Sequence, residues 1–277
     1  MRDLSQERAL SSIPQAVTRA LQEGSVAALA TLVEGVRGVG AKVLIEETGA
    51  LVAGGLGDAS LDGAVALQAQ KFLASRAEAA TFRVEEFAPD MLEWRTSRIL
   101  FERIEPEPRL VVCGAGHVGA ALARLAHGIG YRTTLIDDRA EFLSRERFPE
   151  TEIELVFARE GWAQAVREHA GRGRGVYVSI VTRGHNEDEE CMRAAILARP
   201  RYLGLIGSKR RTAIVLERLR ETGIEEAVLR EVRAPIGLDI GAVSPEEVAL
   251  AILAEIVAER RGGTGKPLSA WRREERK

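Results

Sequence analysis

The segment from Arg109 to Asp138, RLVVCGAGHVGAALARLAHGIGYRTTLIDD, constrains the fold more than any other part of the chain. It begins with an apolar run typical of a buried strand, Leu110–Cys113, and passes directly into the glycine motif GAGHVG at 114–119. A helical pattern follows, and a second apolar run, Thr133–Ile136, ends in two aspartates. Strand, spaced glycines, helix, strand and acid in this order predict a Rossmann-type βαβ unit.

Each part of this motif predicts one feature of a ligand site. Gly114 permits a tight turn, Gly116 lets a phosphate approach the backbone, and Gly119 lets the helix pack closely on the strand. The free N–H groups and the positive end of the helix favour an anion at the same point. Asp137, at the tip of the second strand, is placed to bind a ribose hydroxyl. We therefore predict that a phosphate-bearing ligand binds here.

Residues 109–261 alternate strands with helices, which predicts a parallel, doubly wound Rossmann-type sheet in an α/β protein. Beyond the βαβ unit, the predicted strands are 153–157, 176–181 and 202–206, and the predicted helices are 161–169, 188–198 and 210–220. Ser244 begins a capping box with Pro245 at the first helical position, and the helix that it opens is expected to end at Glu259. We expect residues 262–277, rich in glycine, arginine and glutamate, to be disordered.

Residues 1–104 are predicted to form a smaller α+β domain. Its predicted elements are helices at 1–24 (with a cap at Ser12) and 60–75 (with a cap at Ser60), and strands at 26–33, 42–46, 50–53, 81–87 and 98–104. Glu105–Pro108 is a stiff linker, because proline fixes its own φ and restricts the residue before it. We place the domain boundary there.

Charge and cysteine content exclude several classes of protein. A net charge of −2 over 277 residues gives no general attraction to nucleic acid or to anionic membranes. Two cysteines, Cys113 and Cys191, cannot make a disulfide framework and are typical of a reducing cytoplasm. No apolar run reaches the roughly 18 residues of a membrane span, and the polar start MRDLSQER is not a signal peptide. We expect a soluble cytoplasmic protein and, since HExxH and CxxC motifs are absent, no metal held by side chains.

Ligands of open α/β sheets bind at the carboxyl ends of the strands. Applied to this chain, that rule gathers polar side chains and turn glycines from four strand ends at one rim. The predicted cofactor-binding set is Gly114, Gly116, His117, Gly119, Asp137, Asp138, Arg139, Arg183, His185, Asp188, Gly207, Ser208 and Lys209. Of these, His117 and His185 are the candidate acid or base groups, with a structural hydrogen bond as the alternative for His117.

Two of these strand ends start helices, and each has two interpretations. The sequence GSKRR at 207–211 offers backbone N–H groups together with cations, which predicts a second anion site; an ordinary helix start with solvated charges is the alternative. In the segment 183–188, Asn186 or Asp188 is expected to cap the following helix. Arg183 and His185 precede that cap and stay available to a ligand.

Four segments of the chain resemble the XdhC/CoxI family, the maturation factors of xanthine and carbon monoxide dehydrogenases. They are CGAGHVGAAL (113–122), TRGHNEDEE (182–190), YLGLIGSKRR (202–211) and PIGLDIGAVSPEEVALAILAEI (235–256). His117 stands inside the glycine motif, where ordinary dehydrogenases usually have no histidine. The N-terminal loops GVRGVGA and GGLGDASLD match less well, and the cysteine that family members have in the second loop is replaced by Gly57 or Asp58.

This resemblance implies an accessory protein rather than a catalyst. It implies binding of molybdenum cofactor, as molybdopterin or its cytosine dinucleotide form, protection of that cofactor, and help with its sulfuration. It also implies delivery to a molybdenum hydroxylase apoenzyme, with a cysteine desulfurase as a candidate second partner.

Two other functions stay open at this point, an NAD(P)-dependent oxidoreductase and a nucleotide-sensing module. The glycine motif and Asp137 favour the oxidoreductase. However, none of the three tyrosines has a lysine four residues later, so a familiar acid/base pair is absent. The apolar helix at 248–257 needs more than one covering surface, which predicts a homodimer or, alternatively, cover by the N-terminal domain.

Overall fold

The chain forms two compact units. The computed structural model describes residues 12–170 and 175–270, and the chain divides into two units between Pro106 and Glu107. Each unit has its own sheet of five strands. The point of division lies inside the segment Glu105–Pro108, where two prolines restrict the backbone.

The N-terminal unit is an antiparallel sheet covered by helices. Its elements are α1 (Ile13–Gln22), β1 (Ala27–Glu34), β2 (Lys42–Glu46), β3 (Leu51–Gly54), α2 (Ala59–Ala74), β4 (Ala79–Arg83), α3 (Val84–Phe87) and β5 (Arg98–Ile104). The strand order is β3-β2-β1-β5-β4, and every neighbouring pair is antiparallel. Apolar residues of α2, among them Val65 and Phe72, pack on the sheet to form the core with Leu32 and Phe101.

Local hydrogen bonds explain where this unit follows the sequence prediction and where it differs. Ser12 caps α1 in a capping box with Gln15; the predicted helix over residues 1–11 lies outside the described residues. Helix α2 is capped by Asp58 rather than Ser60, because the Asp58 carboxylate accepts the N–H of Ser60 at 2.8 Å and that of Leu61 at 3.1 Å. Strand β4 is shorter than predicted and gives way to the single turn of α3.

The C-terminal unit is a doubly wound parallel sheet. Its elements are β6 (Arg109–Cys113), α4 (His117–Gly128), β7 (Arg132–Asp137), β8 (Glu154–Phe157), α5 (Trp162–Ala170), β9 (Val176–Ile180), α6 (His185–Ala198), β10 (Tyr202–Leu205), α7 (Lys209–Glu221), α8 (Glu226–Glu231) and α9 (Pro245–Arg261). The strand order is β8-β7-β6-β9-β10. Strands β6 and β7 pair in parallel, as do all other neighbours, which confirms the predicted Rossmann-type fold.

Helices cover both faces of this sheet. Successive side chains of β6 alternate between the faces: Leu110 and Val112 pack with α4 and α9, and Val111 and Cys113 pack with α5, α6 and α7. Two covered faces explain why β6 and β9 are apolar without alternation. The order of strands places the topological switch at β6, between β7 on one side and β9 on the other.

The edge of the sheet beyond β10 is extended by a segment for which the sequence predicts no element. Arg233 N–H donates to the Leu203 carbonyl at 2.9 Å, Leu205 N–H donates to that of Arg233 at 2.9 Å, and Ile236 N–H donates to that of Leu205 at 3.0 Å. The chain then turns at Gly237, whose N–H donates to Glu255 at 2.8 Å. Four residues are too few to show a strand period in the sequence.

Helix α9 is covered from within its own unit. It packs along α4, and the Leu238 N–H donates to the Ala251 carbonyl at 3.2 Å, so the chain after the edge segment covers a second side. This reduces the need for the dimer contact that the apolar pattern suggests. Helix α9 begins at the predicted Ser244 capping box and runs two residues beyond the predicted end. Residues 268–270 form a 3₁₀ turn, and residues 271–277 of the predicted tail lie outside the described residues.

The buried Tyr202 hydroxyl donates to Glu255 at 2.5 Å, and the same carboxylate oxygen holds Gly237. We expect Tyr202→Phe to lower the free energy of unfolding by about 1.5–3 kcal/mol, because the hydrogen bond from a buried hydroxyl to a charged, partly buried group is lost. Urea unfolding of the full chain measures the change. Glu259→Gln on the same helix is the control, since its carboxylate pairs with Arg233 near the surface; a smaller loss for Tyr202→Phe than for this control would contradict the expectation.

Candidate functional site

The turn between β6 and α4 contains three glycines, and at two of them the surrounding contacts leave no room for a side chain. Gly114 has a φ of +114°, and a Cβ built on it would lie 2.6 Å from the Val181 carbonyl oxygen. A Cβ on Gly119 would lie 1.7 Å from the Gly114 carbonyl oxygen, so the helix closes tightly on the turn. Both glycines are therefore required by the packing of the turn itself.

Gly116 has a different role from these two glycines. Its φ of −64° is accessible to any residue, and a Cβ built on it would meet nothing within 4 Å. It is the N-cap of α4 but has no side chain to accept from the first turn. Among the described residues, no acceptor is present for the N–H groups of His117 and Val118. Open space beside free N–H groups at a helix start is the environment that a phosphate oxygen requires.

Asp137 is fully buried and holds this turn from beneath. Its Oδ2 accepts the Ala115 N–H at 2.7 Å. The Arg139 guanidinium donates through Nε to Oδ1 at 2.9 Å and through Nη2 to Oδ2 at 3.0 Å, and the backbone N–H of Arg139 also reaches Oδ1. These bonds raise the pKa of Arg139 above its ordinary value. They leave Asp137 no free position for a ribose hydroxyl, and so favour a role in setting the shape of the turn.

Asp138 and Arg183 form an ion pair across the sheet. Arg183 Nη1 donates to Asp138 Oδ1 at 2.6 Å and Nη2 donates to Oδ2 at 2.8 Å. Hydrogen bonding to Arg183 lowers the pKa of Asp138, so this carboxylate is ionised at neutral pH. Both side chains are partly exposed, at 28% for Asp138 and 45% for Arg183. A ligand that approaches the turn can therefore reach them.

The predicted cap of α6 is wrong. The helix begins at His185 with Gly184 as its N-cap, so Asn186 and Asp188 both lie inside its first turns. Asp188 is fully buried, where its Oδ1 accepts from the Thr182 hydroxyl at 2.5 Å and its Oδ2 accepts from Arg211 Nη2 at 2.6 Å. Burial raises the pKa of Asp188, while Thr182 and Arg211 oppose that rise. Asp188 thus joins the end of β9 to the start of α7 and does not face a ligand.

The other predicted rim residues are distributed along the same edge. His117 is exposed at the first position of α4. The Nδ1 atom of His185 is buried and has no hydrogen-bond partner among the described residues. Ser208 caps α7 by accepting the Arg211 N–H at 3.2 Å, and exposed Lys209 begins that helix. Gly207 before them has a φ of +150°.

Arg147 is a further cation of the site, and no motif in the sequence indicates it. Its Nη2 donates to the Ala115 carbonyl at 3.3 Å and its Nη1 donates to the Phe142 carbonyl at 2.9 Å. Arg139 stacks on the Phe142 ring with 3.7 Å between the guanidinium carbon and the ring centroid. The irregular segment between β7 and β8 thus brings two guanidinium groups to the glycine turn. No periodic signal marks this segment, so only the structure reveals the contact.

The site has the chemistry of an anion site. Among the described residues, no group of three or more His, Cys, Asp or Glu side chains is placed to hold a metal ion. No helix in the described ranges is both long enough and apolar enough to cross a membrane. Free N–H groups, an open approach at Gly116 and nearby guanidinium groups together fit a phosphate or pyrophosphate.

Comparison with solved structures supports the fold. The chain superimposes with a TM-score of 0.50 on a crystal structure described as that of a xanthine dehydrogenase from Bacillus halodurans, over 92% of this chain and 98% of that one. Sequence identity between them is 18%, so the likeness concerns the fold alone.

Three curated proteins are similar in sequence. An uncharacterised Escherichia coli protein, YqeB, is 36% identical over 57% of this chain and 28% of its own length. A Bacillus subtilis protein named as a probable subunit of xanthine dehydrogenase is 29% identical over 60% of this chain and 47% of its length. The Escherichia coli molybdenum cofactor insertion chaperone PaoD is 27% identical over 56% of this chain and 41% of its length. This chain spans less than half the length of each.

Family patterns match both units of the chain. The pattern of the XdhC Rossmann domain matches residues 110–256, which are more than half of the chain and include the whole rim. The pattern of the XdhC and CoxI family matches residues 20–85 in the N-terminal unit. The chain belongs to the XdhC and CoxI family.

Proposed function

We propose that this chain binds molybdenum cofactor at the rim of its Rossmann domain and delivers it to a xanthine dehydrogenase-type molybdenum hydroxylase. The observation that carries the proposal is the open approach at Gly116 beside free N–H groups, which nothing in the packing of the turn requires. Family membership and the names of two relatives support the same maturation role. In this role the cofactor is cargo, so no redox step by the chain is needed.

The chemistry of the cargo agrees with the rim. Molybdopterin is a planar pterin that ends in a phosphate ester, and its cytosine dinucleotide form has a pyrophosphate. The phosphate would bind the first turn of α4, and Arg183 and His117 lie where they would meet a phosphate or the head group. Lys209 and the N–H groups at the start of α7 supply a second position, which the longer dinucleotide form would use.

Sulfuration of the cofactor would depend on a partner. The chain has two cysteines, Cys113 in β6 and Cys191 in α6, and both are buried. Burial raises the pKa of Cys191, so its reactive thiolate is disfavoured. We therefore assign the sulfur transfer to a cysteine desulfurase that acts while this chain holds the cofactor. We place this work in the cytoplasm, where free thiols remain reduced.

The contacts of the two aspartates weigh against the oxidoreductase and nucleotide-sensing alternatives. A nicotinamide nucleotide uses an acid at the end of the second strand to bind its ribose. Here Asp137 is engaged by Arg139 and Ala115, and Asp138 is engaged by Arg183. Binding of NAD(P) in the usual manner would require one of these carboxylates to leave its guanidinium and accept a ribose hydroxyl instead.

Anaerobic calorimetry combined with enzyme reconstitution tests the proposal. We expect the full chain to bind molybdenum cofactor more tightly than NADH or NADPH, and to raise the activity recovered when a molybdenum hydroxylase apoenzyme is loaded. Tight NAD(P)H binding with turnover of a small carbonyl compound, and no effect on reconstitution, would overturn it. Light scattering in the same preparation tests the homodimer that the apolar pattern of residues 248–257 predicts, and a monomer mass at micromolar concentration would contradict that prediction.

Replacing Arg183 by alanine should weaken cofactor binding about tenfold, because a charge-assisted hydrogen bond to a phosphate is lost at a partly exposed position. Calorimetry on both proteins gives the ratio. The matched control is Arg193→Ala in helix α6, which removes a guanidinium of similar exposure that pairs with Glu189 at 2.7 Å. Equal losses for the two variants would show a general effect of charge rather than contact with the cofactor.

A further inference from the structure

The Asp138–Arg183 ion pair crosses the crevice at the topological switch. Strand β6 lies between β7 and β9, and Asp138 follows β7 while Arg183 is the third residue after β9. Neighbouring strands are about 4.8 Å apart, so the pair spans roughly 10 Å across the end of β6. The glycine turn begins at that end.

The backbone that leads to Arg183 lies against this turn. A Cβ built on Gly114 would approach the Val181 carbonyl to 2.6 Å and the Thr182 Cα to 3.1 Å. The backbone just before Arg183 therefore packs against the turn whose N–H groups begin α4. A phosphate bound to those N–H groups would meet the same guanidinium that Asp138 already uses.

The Asp138 carboxylate opposes such a phosphate in two ways. It takes both Nη atoms of Arg183, the donors that match a phosphate in a bidentate contact. As an ionised group, it also repels an incoming anion. The remaining acid near Arg183, Glu187, lies 3.6 Å away without a hydrogen bond, so Asp138 is the principal partner.

We propose that Asp138 is an internal competitor for the anionic ligand: its carboxylate holds Arg183 across the glycine turn, and a phosphate group replaces it on that guanidinium when the ligand binds. The inference rests on the proposed function for the existence of a phosphate-bearing ligand. Its consequence is selectivity. A dianionic phosphate binds arginine more strongly than a single carboxylate does. Ligands with a phosphate therefore open the ion pair, and ligands with only a carboxylate do not.

Calorimetry with inorganic pyrophosphate and the full chain tests the competitor. Asp138→Asn keeps the shape of the side chain and removes its charge. We expect it to bind pyrophosphate about three- to tenfold more tightly than the wild type, as the loss of a partly exposed competing ion pair allows. We expect Arg183→Ala to bind more weakly. In the Arg183→Ala background, Asp138→Asn should give a smaller gain than it gives in the wild type, because the competition for that guanidinium is gone and only direct repulsion of the anion remains.

Glu226→Gln controls for the change of net charge. It removes one negative charge from the same unit and breaks an exposed pair in which Glu226 and Arg220 lie 2.9 Å apart. Its affinity for pyrophosphate should stay within twofold of the wild type. Asp138→Asn should also unfold at a slightly lower temperature than the wild type, because the ion pair with Arg183 is lost. If this less stable variant binds pyrophosphate more tightly, a general stabilisation of the fold is excluded as the cause.

The proposal that Asp138 competes with the ligand is overturned if Asp138→Asn binds pyrophosphate no more tightly than the wild type, or does not bind it. A gain that equals that of Glu226→Gln overturns it as well. The proposed function is judged separately: delivery of molybdenum cofactor by the wild type with no gain for Asp138→Asn leaves the function and removes the competitor. A gain for Asp138→Asn without any delivery by the wild type supports the competitor and removes the proposed function.

Discussion

Gly119→Ala is expected to destabilise the C-terminal unit by about 3 kcal/mol or more, at the upper end of overpacking effects. The added Cβ would lie 1.7 Å from the Gly114 carbonyl oxygen and 3.2 Å from a methyl group of Val181. The nearest atom belongs to the backbone of the turn, so no side-chain rotation relieves the clash. Helix α4 would have to move away from β6, and much of the packing between α4 and the sheet would be lost.

Differential scanning calorimetry of the full chain measures this change as a lower transition temperature for one of the two units. The control is Gly128→Ala in the same helix, because a Cβ there meets nothing within 4 Å. That substitution should stabilise by about 0.5–1 kcal/mol, since alanine favours the helix more than glycine does. The same substitution, glycine to alanine, is thus expected to destabilise at position 119 and to stabilise at position 128. A Gly119→Ala protein as stable as the wild type would show that the turn is looser than these distances indicate.

Gly116→Val is expected to abolish binding of the molybdenum cofactor, with an affinity loss of at least about a hundredfold, while the fold remains. The valine side chain would fill the open space beside the free N–H groups of α4 and block close approach of a phosphate. The backbone at Gly116 is extended, a conformation that valine adopts readily. Loss of stability should stay within about 1 kcal/mol, because glycine is only a moderate N-cap.

Calorimetry with the cofactor and urea unfolding should be done on the same preparations. Gly128→Val is the matched control, since it places the same side chain on the same helix, with open space around its Cβ and away from the turn. We expect wild-type affinity for this control. Normal binding by Gly116→Val would exclude the α4 turn as the phosphate site and would direct attention to the second position at Lys209.

The elements that the sequence predicted well are those whose cause is local. The run Leu110–Cys113, the glycine motif and the run Thr133–Ile136 follow one another within thirty residues, and the structure joins them in parallel as predicted. The capping boxes at Ser12 and Ser244 also depend on contacts three residues apart. A capping box is complete in the sequence, because both of its partners lie within one turn of helix.

The errors occurred where a residue had a choice between a local and a distant partner. Asp188 has the chemistry of a helix cap, but it is buried against Thr182 and Arg211, 23 residues further along the chain. Gly184 caps the helix instead, without a side chain, so composition alone could not reveal the start of α6. Asp58, and not Ser60, caps α2. Its second carboxylate oxygen accepts the indole N–H of Trp94 at 3.3 Å, a residue 36 positions further along the chain.

The sequence by itself determined the Rossmann-type unit and the position of the glycine turn, because apolar periodicity and glycine spacing encode short-range geometry. The family was indicated separately, by the resemblance of four segments. Only the tertiary structure decided the state of the two aspartates. Asp137 faces Ala115 and Arg139 beneath the turn, and Asp138 meets Arg183 from 45 residues away. The two acids are neighbours in the sequence, but successive residues at a strand end project to different sides. Their different partners follow from that projection and from the strand order, which brings β7 and β9 to either side of β6.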